Sequence, residues 1–154
     1  MEVVVPVAAE GQHSEPEKMV ECELTRIVIR EHSNPQYIFL REKSGNRVFP
    51  IVIGVSEASE IRRKFTATPT ERPLTHDLLR SAIHILGGRI LRIEVVDLRE
   101  GTFFANLILE QDGRVLRVDC RPSDAIALAV AEDAPVAVSE LVLEEAWREH
   151  EQSG

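Results

Sequence analysis

Aromatic residues are scarce in this 154-residue chain, at 5% of positions. A core must therefore be built from Val, Ile, Leu and Ala, which is feasible because 44% of residues are hydrophobic. Cysteine is nearly absent. Cys22 and Cys120 lie far apart with no CxxC pair, which argues against a zinc ribbon or a redox dithiol and for two reduced thiols. No apolar stretch approaches the ~20 residues of a membrane span. The N-terminus, Met1-Glu2-Val3-Val4-Val5-Pro6, has no basic leader and a short apolar run, so a secretory signal is not expected and the expectation is cytoplasmic. A cationic surplus is also missing: the net charge is −8. No global field draws nucleic acid to such a protein, and phosphate binding would need a local basic patch. There is no Walker loop, dinucleotide fingerprint, nucleophile elbow or HExxH.

The segments that are present read as one domain of ordinary length. Residues 1–19 suggest a flexible lead-in, residues 20–147 a folded domain and residues 148–154 a polar tail. Strands are expected at Val20–Arg30, Tyr37–Glu42 and Arg47–Ile53, with Pro50 placing the last at an edge or bulge. A helix capped by Ser56 follows, carrying Ala58, Ile61 and Phe65 on its apolar stripe. Thr75 caps a second helix with Leu78, Leu79, Ala82, Ile83 and Leu86 at helical spacing, ended by Gly87-Gly88. Three strands come next, at Arg89–Leu98, Thr102–Glu110 and Arg114–Cys120, and Asp112-Gly113 is a strong hairpin signal. Ser123 caps a helix that is apolar all round and so buried. A short strand at Val136–Val138 and a final amphipathic helix capped by Ser139 complete the pattern. This predicts an α+β fold: a mixed, largely antiparallel sheet with packed helices.

Polar residues concentrate at the helix starts and turns. In Arg72-Pro73-Leu74-Thr75-His76-Asp77, free backbone N–H groups attract anions, His76 can move a proton near neutral pH, and Arg72 can clamp a phosphate. The same residues also suit a solvated first turn. In Arg121-Pro122-Ser123-Asp124, Ser123 and Asp124 are caps or site residues, and Arg121 pairs with Asp124 or with a bound anion. In Asp97-Leu98-Arg99-Glu100-Gly101-Thr102, two carboxylates flank a turn and suit either a hard cation or ordinary turn polarity. Arg62-Arg63-Lys64 is a phosphate patch or a favourable helix end.

Taken in order, Pro50-Ile51-Val52-Ile53-Gly54 with Glu57-Ala58, then Arg72-Pro73-Leu74-Thr75-His76-Asp77, then Asp97-Leu98-Arg99-Glu100-Gly101-Thr102-Phe103, then Arg121-Pro122-Ser123-Asp124-Ala125-Ile126-Ala127-Leu128-Ala129 and Ala134-Pro135-Val136 resemble the bifunctional nuclease domain family. The resemblance spans roughly Val20 to Ala146. It implies a compact, self-associating α+β domain with nuclease activity on DNA and RNA. The matching polar positions are Glu57, Arg72, His76, Asp77, Asp97, Glu100, Arg121, Ser123 and Asp124. The basic run Arg62-Arg63-Lys64-Phe65-Thr66 departs from the family's usual aliphatic and small residues.

The resulting expectation is a nuclease acting on DNA or RNA with a divalent metal, Mg²⁺ or Mn²⁺. Asp97, Glu100 and Asp124 would hold the metal. His76 would be the acid or base, oriented by Asp77. Arg72, Arg121, Ser123 and Glu57 would bind substrate. The alternative is a non-enzymatic homo-oligomeric binding or regulatory module, with a small-anion site at the helix starts near Thr75 and Ser123. A membrane partner is not expected.

Overall fold

The computed structural model describes residues 3–4, 18–30 and 32–154. Among the described residues, eight strands form one sheet: β1 (Val3–Val4), β2 (Met19–Val28), β3 (Gln36–Glu42), β4 (Val48–Ile53), β5 (Gly88–Arg99), β6 (Thr102–Gln111), β7 (Arg114–Cys120) and β8 (Val136–Ser139). Their order is β1-β7-β6-β5-β8-β2-β3-β4. β5 and β8 pair in parallel, and the other neighbours pair antiparallel. The described residues also form four helices: α1 (Val55–Phe65), α2 (Thr75–Ile85), α3 (Pro122–Glu132) and α4 (Glu140–Ser153). The fold is α+β, with a mixed and mostly antiparallel open sheet, as the pattern predicts.

Period-two alternation sets the inner face of the sheet. In β3, Ile38 and Leu40 are sealed while Tyr37 and Phe39 stand on the other side. Phe49, Ile51 and Ile53 do the same in β4. β4 is an edge strand, so Pro50 removes no donor the sheet needs. The sheet curls enough that Phe49 stacks on Phe103 of β6, with ring centroids 5.5 Å apart. Inside the curl lies α3, whose residues Ala125 to Ala129 are all buried. That explains why its sequence has no polar face.

Three of the expected caps move. Gly54, not Ser56, precedes α1; Leu74, not Thr75, precedes α2; Arg121, not Ser123, precedes α3. In each case the helix starts one or two residues early. Pro122 takes the first helical position, where its missing N–H costs nothing and its fixed φ is already helical. Asp77 reaches back to accept the Leu74 N–H at 2.8 Å, so the cap of α2 is supplied from inside the helix. Ser139 does precede α4.

Two boundaries also differ. Val3–Val4 pairs with β7 through Val118 and Arg117, while the remainder of the expected flexible lead-in up to residue 17 lies outside the described residues. The polar residues 148–153 continue α4. Arg47 ties that helix to the β3–β4 hairpin, donating to Glu42 at 2.9 Å, Glu140 at 2.6 Å and Glu144 at 3.0 Å.

Cys22 is buried and Cys120 half-buried, and both are free. Burial pushes each thiol up to about 12, so both stay protonated and unreactive at neutral pH. Among the described residues, no helix is long and apolar enough to cross a membrane.

Candidate functional site

β4 ends at Ile53, and Gly54 turns the chain into α1. The β5–β6 hairpin turns at Glu100 and Gly101, both with positive φ. Arg121 and Pro122 lead from β7 into α3. These three junctions, far apart in sequence, meet around one open cleft of about 470 Å³, a volume typical of ligand sites. Ile51, Val52, Ile53 and Phe103 form its apolar side, and Gly101, Thr102, Arg121 and Ser123 its polar side.

Arg121 links the cleft to a charged network. Its guanidinium lies 3.1 Å from Glu57 and donates to Asp124 at 2.9 and 3.2 Å. Asp124 in turn lies 2.9 Å from His76 Nε2. The network therefore runs Glu57–Arg121–Asp124–His76 and joins α1, α3 and α2. The bond to Asp124 raises the His76 pKa above the ordinary histidine value, against the effect of burial. The same bond, with Arg121, holds the Asp124 carboxyl below the usual range. Gly54 keeps room for this arrangement: a Cβ there would stand 2.2 Å from a Glu57 carboxylate oxygen.

Asp77 belongs to a different network. It accepts from Arg63 at 3.0 Å, from Lys64 and from the Leu74 N–H, and these donors hold its carboxyl far below the usual range. Its expected role of orienting His76 is thus taken by Asp124. The reason is positional: the residue after His76 points a helical step away, toward α1. Glu60 also accepts from Arg63, at 2.8 Å. The run Arg62-Arg63-Lys64 therefore spends two of its three cations inside the fold. Arg62 remains exposed, without an ion pair among the described residues.

The carboxylates expected to share a metal do not form one set. Asp97 is bound by Arg99 at 2.6 Å and by the Leu98 N–H at 2.8 Å, and both bonds lower its pKa. Glu100 sits exposed at the tip of the hairpin. Asp124 is engaged by His76 and Arg121. Among the described residues, no three His, Cys, Asp or Glu side chains group as a metal site. The donor set does not fit a closed metal centre within one chain. Arg72 is exposed and has no ion pair among the described residues.

The structure thus brings together Glu57, Arg121, Ser123, Asp124 and His76. It leaves Asp77 in a neighbouring network and Asp97 and Glu100 on the hairpin. The apolar wall at Ile51, Val52 and Phe103 was not legible as part of a site, because these residues look like ordinary strand positions. The exposure of Val52, at 61%, is the feature that marks it.

Two proteins of Mycobacterium tuberculosis, Uncharacterized protein MT1877 of strain CDC 1551 / Oshkosh and Uncharacterized protein Rv1829 of strain ATCC 25618 / H37Rv, are each 40% identical to this chain over 128 residues. The match spans 83% of this chain and 76% of each relative. The model of the bifunctional nuclease domain matches residues 38–151, a stretch that holds most of the cleft lining and the whole Glu57–His76 network, and the chain belongs to that family.

Proposed function

We propose that the protein is a nuclease that hydrolyses phosphodiester bonds of DNA or RNA in the cleft at the start of α3. The observation that carries this is the placement of Arg121. It stands at the rim of a ligand-sized cleft, is 65% exposed, and is aimed by two carboxylates. A guanidinium so placed can neutralise phosphate oxygens through its planar fork. Family membership supports the substrate class.

In this reading Arg121 binds the diester and offsets the charge that builds in the transition state. Water attacks phosphorus, the P–O bond to the leaving strand breaks, and the proton lost by water passes to solvent, while Glu57 and Asp124 hold Arg121 in place. The leaving oxygen takes up a proton from solvent. His76 is a positioning residue: it does not line the cleft, and it acts by holding Asp124.

Purified protein should cut single-stranded RNA or DNA, assayed with Mg²⁺, with Mn²⁺ and with EDTA. Arg121→Ala and Asp124→Asn should each lower the rate by about 100-fold or more, the usual scale for removing one electrostatic stabiliser. Asp97→Ala should cut nearly as well as wild type. Equal cutting by wild type, Arg121→Ala and Asp124→Asn would mean a contaminating enzyme and would end this reading.

A second reading, a homo-oligomeric binding module, is favoured by α2. None of its residues is buried. Leu74, Leu78, Ile85 and Leu86 are 43%, 65%, 83% and 71% exposed. Such a stripe on a soluble surface is a contact face for another chain. A nuclease and an oligomer are compatible, and the cutting assay separates an active oligomer from an inert one.

A further inference from the structure

Ser123 is 5% exposed, yet its hydroxyl has no hydrogen-bond partner among the described residues. No fully enclosed side-chain nitrogen or oxygen among those residues lacks a partner. The hydroxyl is therefore reachable, and the opening that Ser123 lines is the cleft. A buried hydroxyl is not left idle without cost, and the cleft is the side from which a partner can reach it.

The backbone beside it is in the same condition. Pro122 has no N–H. The first intrahelical donor of α3 is Ala125, whose N–H bonds the Arg121 carbonyl at 3.2 Å. The N–H groups of Ser123 and Asp124 thus precede the hydrogen-bonded ladder, and no side chain caps them. Ser123 and Arg121 both line the cleft, and the two backbone donors lie at the same helix start. The positive end of the helix dipole adds to them.

We infer that this helix start is a phosphate subsite, and that it holds one phosphate of a single nucleic-acid strand whose neighbouring sugar or base lies against Val52 and Phe103. The strand as occupant rests on the nuclease reading; the phosphate site itself rests on Ser123. Asp124 does not oppose the anion strongly, because its carboxylate is directed to Arg121 and His76. The expectation of an anion site near Ser123 is thereby given specific donors, whereas the start of α2 has its cap filled by Asp77.

The test is an amide-resolved NMR titration of the full chain with inorganic phosphate, with a nucleoside monophosphate and with a dinucleotide, alongside a cleavage assay. Both phosphate and dinucleotide should shift the Ser123 and Asp124 amides, and the dinucleotide should also shift Val52 and Phe103. Ser123→Ala removes one oxygen from a buried position and should fold. It should weaken dinucleotide binding about tenfold, the scale of one charge-assisted hydrogen bond. Ser123→Asp should abolish binding by repulsion, and Thr75→Ala should change nothing. Phosphate binding at Ser123 without any cleavage would uphold the subsite and refute the nuclease. Cleavage with Ser123→Ala and Ser123→Asp behaving as wild type would overturn the subsite and leave the nuclease standing. Binding of inorganic phosphate or the monophosphate alone, with no dinucleotide binding, would overturn the strand as its occupant.

Discussion

Arg121 stays mostly in solvent although two carboxylates hold it, and the histidine behind one of them gives the network a pH signature. The folded pKa of His76 lies above its unfolded value of about 6.5. Its bond to Asp124 therefore stabilises fully below that value and fades as pH rises through the folded pKa. The folded pKa of Asp124 is depressed, so its share is present above about 4 and is lost as pH falls through the folded value. Thermal melts of wild type and His76→Ala should differ most near pH 5–6, by about 1–2 kcal/mol, and converge toward pH 9. A gap that widens with pH would contradict the pairing. Asp77 and Asp124 can be separated in the same spirit. Asp124→Asn should bring the His76 titration, followed by NMR, back toward 6.5. Asp77→Ala should leave that titration raised while costing about 1–2 kcal/mol, since it removes a cap and a partner for Arg63 and Lys64. The opposite outcome would restore Asp77 as the orienting group. Which carboxylate serves His76 was not legible in the sequence. Neighbouring positions on a helix point in different directions, and the true partner is 48 residues away.

At the scale of elements, α2 shows how periodicity can be read correctly and still mislead about burial. Its apolar spacing predicts a helix, and a helix forms, but spacing does not say which side faces the core. Leu79 and Ile83 pack against the core, whereas Leu74, Leu78 and Ile85, at steps of four and seven, face away. Light scattering of the wild-type chain at micromolar concentration should give a mass above that of one chain. Leu78→Glu with Ile85→Glu should return it to a monomer with an unchanged circular dichroism spectrum. A monomeric wild type would leave the stripe without a purpose. The hairpin carrying Asp97 and Glu100 shows the complementary limit. Its turn was legible from Glu100-Gly101, but the Glu100 side chain stands at a tip whose φ is +49°, a conformation that glycine adopts with less strain. Glu100→Gly should raise stability by about 0.5–1 kcal/mol and keep most of the activity. A large loss of cleavage would instead assign the carboxylate a part in the chemistry.

Across the whole molecule, the sequence revealed the pieces and their order but not their distances. Strands, hairpins and the buried α3 followed from local alternation and composition. The cleft did not, because it is assembled where β4, the β5–β6 turn and the start of α3 converge, and only the curl of the sheet brings them together. Charge bookkeeping behaves likewise. The basic run on α1 reads from sequence as either a phosphate patch or a favourable helix end, and Glu60 and Asp77 absorb Arg63 and Lys64. A chain of net charge −8 is left with few cations near the cleft. Strand binding should therefore be weak and governed by one or two phosphate contacts. On single strands each contact contributes a slope of about −0.7 in log affinity against log salt. The wild-type slope should lie between about −0.7 and −1.5. Arg121→Ala should flatten it by about 0.7, while Arg62→Ala, at the far end of α1, should leave it unchanged. A slope of −4 or steeper would mean that a strand follows a basic surface elsewhere, and a slope insensitive to Arg121 would remove the guanidinium from the substrate's path.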